Sequence, residues 1–434
     1  MKKYFMSVAA LAGMMSLAAC SSDDIVSPAD NDVQTIKIAV ASTGDKSTRS
    51  RDLNSEEPDQ KIENVAVVIR NKATNAVVYQ NVITNWNTDP VSKPYTDNGH
   101  GRECTLKLEG ADRLNAGEYT ITAVGYTAAD FKENTNTIES ATKGKIVTGN
   151  FTAEVPDDKA AQEAFAGESS IELLENHAAI NTSVTLHRQV AGYYGYFTSI
   201  PVEVNGKKVT DVRLVARSKN MKLTYGNFNS SFTTTNKDIM YVVNGSEPAT
   251  IKDAKFKGSA DNDAYTLYNI KVAEWFTEGD TNNDGILDEK DVLTKDGKEA
   301  WTNPLEPKGY KTYQKGTIFA GGFAVPFAAV DAATLELQLL DVSGEILKSW
   351  TVEMATAQPT GKGVDGVALT VPETTQNFSF FRNHMYTLGK KVDNTNNKPG
   401  TTTPDQPEPL DKSQSMILRV NDNWEVINRM TIGD

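Results

Sequence analysis

From residue 62 onward, apolar and polar positions alternate with a period of two. Residues 62–70, 76–83, 104–108 and 118–126 are rich in Val, Ile, Thr and Tyr and are bounded by Gly, Asn and Asp. That pattern predicts strands with one buried face. The same texture returns over 184–204, 209–225, 264–272, 317–328 and 378–392. Residues 335–340 and 346–352 flank Val342-Ser343-Gly344-Glu345, a hairpin signal. Helical signals are few, with 160–165 and 172–178 as short candidates. Many short strands with frequent turns predict an all-β chain built of sandwiches. No internal repeat is visible, and a boundary near 180–184 divides the chain into two β-rich halves.

Two apolar islands stand outside this body. The polar stretch 27–57 is interrupted by residues 35–41, where Ile36, Ile38 and Val40 share one face. Lys46, Arg49 and Arg51 follow in a hydrophilic segment of the kind that is exposed and easily cut. Near the other end, residues 393–415 are dominated by Asn, Thr, Pro and Gly and read as an extended linker without a core of its own. Beyond it, 416–431 is strand-like, with Met416, Leu418 and Val420 on one face and Trp424 and Val426 extending the pattern. A lone strand beyond a linker can fold back onto its own sheet or pair with a groove on another molecule. A first strand followed by exposed arginines makes the second fate a matched arrangement: removing one strand opens a groove that the other can fill.

The N-terminus bears on location. Lys2 and Lys3 precede an uncharged apolar run, which ends in Leu17-Ala18-Ala19-Cys20. The run is too short to span a bilayer and reads as a signal peptide. Leu-Ala-Ala-Cys resembles the bacterial lipobox, which implies a lipid on Cys20 and an anchored protein. The acidic residues just after Cys20 resemble a surface-export signal of Bacteroidales lipoproteins.

Composition narrows the function classes. The 434 residues are 39% apolar and 23% charged, enough for two domains with real cores. A net charge of −13 argues against nucleic acid, whose phosphates require a basic surface. Beyond Cys20 only Cys104 remains, so no internal disulfide can form after maturation, and its place in an alternating run marks it as a small core residue.

One insertion carries candidate chemistry. Residues 280–291 place oxygen ligands at loop positions 1, 3, 5, 9 and 12: Asp280, Asn282, Asp284, Asp288 and Asp291. Ile286 would add its backbone carbonyl and Gly285 the sharp turn, the spacing that a hard calcium ion requires. Asp291 stands where Glu is usual, which shortens the reach of that ligand. The segment is also like one dockerin repeat, without a second copy. The histidines His100, His177, His187 and His384 form no HExxH pattern, and neither GxSxG nor a Gly-rich phosphate loop is present, so no catalytic set is assigned. Tyr193, Tyr194, Tyr196 and Phe197 could stack on sugar but read as core and surface of a strand.

Taken in order, these features resemble the type V pilins, the FimA-like fimbrillins of Bacteroidales. The resemblance runs the length of the chain: the lipobox at 17–20, the first strand at 35–41 with Arg49 beyond it, and Val65 to Ile69 at the start of the first sandwich. Residues 184–191 look like the strand that opens the second domain. Residues 381–386, with Arg382, Asn383 and Tyr386, look like a strand near its end, and a linker and Trp-containing terminal strand follow. It implies two β-sandwich domains of transthyretin-like or Greek-key type, in tandem, with a C-terminal donor strand. The division expected is a signal peptide over 1–19, a removable propeptide over 20–49, sandwiches over 50–181 and 182–393, a linker over 394–415 and a donor strand over 416–431.

The resemblance also implies a mechanism. A lipid-anchored precursor at the outer membrane is cut by an Arg-specific protease, at Arg49 or Arg51, and other fimbrial subunits supply strands in exchange. The product is a fimbrium that serves adhesion and biofilm formation, through a receptor the residues do not identify. The presence of both cleavage site and terminal strand favours a stalk subunit over a tip adhesin. A surface glycan-binding lipoprotein and a lipoprotein hydrolase are the readings from other classes.

Overall fold

Alternation becomes strand pairing throughout the two halves. The computed structural model describes residues 34–40, 62–94, 102–127, 135–136, 138–155, 161–175, 180–216, 218–220, 222–225, 251–253, 265–305, 314–325, 335–354, 385–389, 406–412 and 416–421. Among these the chain is all β, with three-residue helical turns as its only helix.

The first half comprises β1 (Gln34–Val40), β2 (Asn64–Asn71), β3 (Val77–Ile83), β4 (Lys93–Pro94), β5 (Arg102–Leu108), β6 (Gly117–Tyr126), β7 (Thr135–Asn136), β8 (Thr152–Glu154), β9 (Ala164–Leu173) and β10 (Ile180–Arg188). Eight of these hydrogen-bond in the order β3-β2-β6-β9-β10-β1-β5-β4. The sheet folds over a core that includes Ile36, Ile38, Val65, Val67, Ile69, Ile121, Phe165, Val184 and Leu186. In β2, Val65 to Ile69 are all fully buried. The even positions Ala66 and Val68 pack in a second cluster on the other face, so this strand is apolar on both sides, as a doubly covered strand must be.

The second half comprises β11 (Ala191–Thr198), β12 (Ile200–Pro201), β13 (Glu203–Val204), β14 (Lys207–Lys208), β15 (Asp211–Ala216), β16 (Ser218–Asn220), β17 (Lys222–Thr224), β18 (Ile251–Asp253), β19 (Tyr265–Lys271), β20 (Ile286–Leu287), β21 (Ile318–Ala324), β22 (Leu335–Leu340), β23 (Ile346–Met354), β24 (Met385–Leu388), β25 (Glu408–Pro409) and β26 (Met416–Asn421). Its main sheet runs β19-β15-β22-β23-β26-β24-β11-β21, with β25 paired to β11. The turn at Asp341–Glu345 closes β22 onto β23 through Asp341 N–H donating to Glu345 O at 3.0 Å, as the hairpin signal predicts.

The two halves share one topology. In each, four antiparallel strands lie side by side with the same chain order, β3-β2-β6-β9 in one and β19-β15-β22-β23 in the other. In each, the first strand lies parallel to the last and antiparallel to a middle strand. β1 pairs with β10 and β5, and β11 pairs with β24 and β21. The repeat is one of pairing, not of residues, and so is invisible along the chain. Against this seven-strand plan, β26 is an addition: it enters between β23 and β24, where in the first half β9 meets β10 directly.

The halves also share a core. Val190, Leu223, Tyr225 and Val325 from the second half pack with Ala66, Val68, Val124, Tyr126, Phe151 and Ala164 from the first. β17 pairs with β8 across the junction. Three expectations are corrected here. The domain boundary lies at Gln189–Val190 rather than 180–184, because β10, including Val184 and Leu186, belongs to the first core. Of the helical candidates at 160–165 and 172–178, residues 164–165 and 172–173 belong to β9, whose ten residues all pair with β6, while 160 and 176–178 lie outside the described residues. At its centre Gly167 lies so near the backbone of Thr185 that a Cβ would overlap it, and tertiary pairing overrides a weak local preference. The expected linker is not featureless: within 394–415, residues 406–412 dock on the second half, with Leu410 fully buried and its N–H donating to Thr198 O at 3.0 Å.

Candidate functional site

The slot of the first strand is built for that strand. Gln34 is buried, and its amide makes a two-way bond with one residue far along the chain. Its Nε2 donates to Leu114 O at 2.9 Å and its Oε1 accepts from Leu114 N at 2.8 Å. Thr35 Oγ1 donates to Ile180 O at 3.1 Å. Ile36 and Ile38 are fully buried. Lys37, on the outer face, meets Glu103 at 2.7 Å. Ile38 stands opposite Cys104 of β5. Burial, then the adjacent Glu103 carboxylate, pushes the Cys104 thiol up to about 11, so it is an unreactive wall residue while β1 is in place.

β1 is thus an interior strand, with β10 on one side and β5 on the other, and its departure would detach β5 from the sheet's centre. Exposed ladder groups and apolar side chains are both costly in water, so an emptied slot calls for another strand. Cys20, Arg49 and Arg51 lie outside the described residues.

The terminal strand sits in a comparable setting in its own half. β26 is parallel to β23 and antiparallel to β24, the same two pairing senses that β1 uses. Met416 is buried in the second core. The backbone of Leu418 and Val420 lies within β26, while Trp424 and Val426 lie outside the described residues. Of the two fates open to this strand, folding back onto its own sheet is the one this structure adopts.

The acidic insertion forms a tight loop. Asp280 accepts from Asn283 N at 2.6 Å and from Gly285 N at 2.8 Å. Asn283 and Gly285 take left-handed φ values of 61° and 85°, and Gly285 stands where the sharp turn was expected. Asn282 accepts from Asp284 N at 2.7 Å, and Asp284 from Ile286 N at 3.1 Å. Asp291 is fully buried. One of its oxygens accepts from Thr281 N at 2.8 Å and the other from Asp288 N at 3.1 Å. Lys290 reaches Asp284 at 2.9 Å and Asp288 at 3.6 Å, and the bond from Lys290 holds the Asp284 carboxyl below its ordinary value. Among the described residues no three carboxylate, imidazole or thiol groups gather as a metal-holding set. The loop has its sharp turn at Gly285, and a lysine ammonium sits on two of the candidate ligands.

Residue patterns alone did not reveal three features. Gln34 falls just outside the apolar island 35–41, and its burial depends on Leu114, which is 80 positions away. Arg188, the last residue of β10, donates from Nε and Nη2 to Glu163 Oε1 at 3.0 and 2.6 Å and lies 4.8 Å over the Phe165 ring. Their carboxylate and guanidinium carry almost no exposure. The docked Leu410 is the third. Tyr193, Tyr194, Tyr196 and Phe197 are all buried, as core rather than a platform for sugar. The side chain of His187, and His100, His177 and His384 altogether, lie outside the described residues.

No family model matches the chain, and no curated protein matches it. Solved structures do resemble it. A candidate cell adhesion protein from Parabacteroides distasonis is 10% identical, with 92% of this chain and 99% of that one covered and a TM-score of 0.41. A fimbrial assembly protein from the same species is 14% identical over 83% of this chain and 92% of that one, with a TM-score of 0.35. The fimbrial anchor protein Mfa2 from Porphyromonas gingivalis is 13% identical over 82% and 90%, with a TM-score of 0.34.

Proposed function

We propose that this chain is a structural subunit of a cell-surface fimbrium, polymerising by strand exchange after Arg-specific proteolysis and supporting adhesion and biofilm formation. The observation that carries the reading is the strand inventory. The first half completes its seven-strand plan only with β1, and the second half has its own seven plus β26. β1 is joined to β2 through a polar segment that contains Arg49 and Arg51. Cutting there leaves the first half one strand short, and the second half of a neighbour has one to give. An incoming strand restores both ladder hydrogen bonds and apolar contacts. Because donor and acceptor lie at opposite ends of the chain, the contact is head-to-tail and does not close on itself.

Lipid on Cys20 would hold the precursor at the outer membrane until the cut releases it. Calcium in the loop of Asp280, Asn282, Asp284, Ile286, Asp288 and Asp291 would have a structural role, joining carboxylates that already brace the turn. The partners in this reading are copies of the chain or related subunits and the processing protease.

The test is the cleavage site. Wild-type precursor treated with an Arg-specific protease, which spares Lys46, should form a polymer ladder, while Arg49→Ala with Arg51→Ala should retain β1 and stay monomeric. A double variant that polymerises as fast as wild type with its N-terminus intact would overturn the reading.

A further inference from the structure

Residues 34–40 read Gln-Thr-Ile-Lys-Ile-Ala-Val, and residues 414–420 read Gln-Ser-Met-Ile-Leu-Arg-Val. The likeness falls on the positions that the slot of β1 constrains. Gln34 satisfies both the N–H and the C=O of Leu114 inside the protein, and a second glutamine can do the same. The Thr35 hydroxyl bonds to Ile180 O, and Ser415 keeps a hydroxyl there. Ile36 and Ile38 fill the core, and Met416 and Leu418 are apolar at both places. Met416 is already the inward residue of β26 in its own sheet, so the strand would present the same face in either slot.

The two departures fall on the face turned away from Ile36 and Ile38, at exposed Lys37 and at Ala39, which is 6% exposed, and they offset one another. Lys37 becomes Ile417, which removes the cation beside Glu103. Ala39 becomes Arg419, and position 39 stands directly opposite Glu103 in the ladder. The carboxylate thus keeps a cationic partner, two residues farther along, with a stem long enough to carry the charge to water.

Resting on the strand-exchange reading, we propose that the groove left by β1 receives residues 414–420 of a second copy in this one register, Gln414 in the place of Gln34 and Val420 in the place of Val40. A slip of one residue would set Arg419 at Ile38, a fully buried position, where an unpaired charge is heavily penalised. A slip of two, with Leu418 at position 36, sets Met416 in the place of Gln34 and leaves both main-chain groups of Leu114 without a partner.

The native Cys104 reads the register. It stands opposite position 38, and the only other cysteine, Cys20, precedes the cut. Directly opposed residues lie within disulfide range. Full-length chains bearing Met416→Cys, Leu418→Cys or Val420→Cys are cut with trypsin, allowed to polymerise, oxidised and run without reductant. The expected result is a covalent ladder from Leu418→Cys alone, collapsing to monomer on reduction. A ladder from Val420→Cys or Met416→Cys instead, or non-covalent polymer from all three with no ladder, overturns the register while leaving strand exchange standing. Wild type that forms no polymer after cleavage overturns strand exchange and the register together. As a second measurement, Gln414→Leu should polymerise about tenfold more slowly than wild type, the effect of leaving a buried main-chain pair unsatisfied. An unchanged rate would also overturn the register.

Discussion

Asp280 and Asp291 brace the acidic loop from its two ends, each accepting backbone N–H groups. Lys290 bonds to Asp284 on the rim, and a hard divalent ion would have to displace it. Two opposite effects follow from that competition. Asp280→Ala with Asp284→Ala should abolish calcium binding in calorimetry, and Lys290→Ala should tighten it, because the ammonium no longer occupies the oxygens. Wild-type protein that takes up no heat at millimolar calcium, the weak end for such loops, would exclude the ion. The tight turn was legible along the chain because the loop is local: each residue acts within a dozen positions of the next. Gln34 and the pair Arg188–Glu163 were not, because their partners are 80 and 25 positions away and only the fold brings them together.

At the scale of elements, β1 hides Cys104. A thiol pushed up to about 11 is almost wholly protonated at pH 8, and the protonated form does not alkylate. Alkylation of Cys104 should therefore be slow in the precursor. It should rise at least about tenfold when β1 leaves and the wall meets water, and fall again once a donor strand is seated. Equal rates in precursor, cleaved monomer and polymer would mean that β1 never vacates the slot. Strand existence was legible from alternation, and so was the apolar island of β1, because a period of two registers burial on one face. Pairing was not. β9 carries Ala, Gly and Ser where a strand pattern wants branched residues, and its identity comes from β6 beside it. β10 and β11 run on with only Gln189 and Val190 between them, so no composition shift marks the domain boundary. The seven-strand repeat concerns which strands touch, and that is written in no single stretch of residues.

At the scale of the molecule, the shared core and the β8–β17 pairing join the two halves, and the strand supply of one end answers the demand of the other. Residues 406–412 are docked through Leu410 and β25. With residues 406–412 docked and 414–420 seated in the slot, only Ser413 is left between them, about 3.5 Å of extended chain. The donor is then delivered close to the body that supplies it, which makes for closely abutting subunits rather than beads on a loose string. Removing residues 413–434 tests this supply directly. The truncated chain loses β26, and with it Met416 from the second core, but β24 remains paired with β11, and the pairings within β19-β15-β22-β23 are untouched. It should fold with a lowered Tm and stay monomeric after trypsin. Mixed with intact cleaved subunits, it should shorten their polymers in proportion to its share, since it accepts a strand and offers none. Light scattering and gel ladders report both effects. Truncated protein that polymerises alone as readily as wild type would show that the terminal strand is not the link between subunits, and that β26 belongs to its own sheet for good.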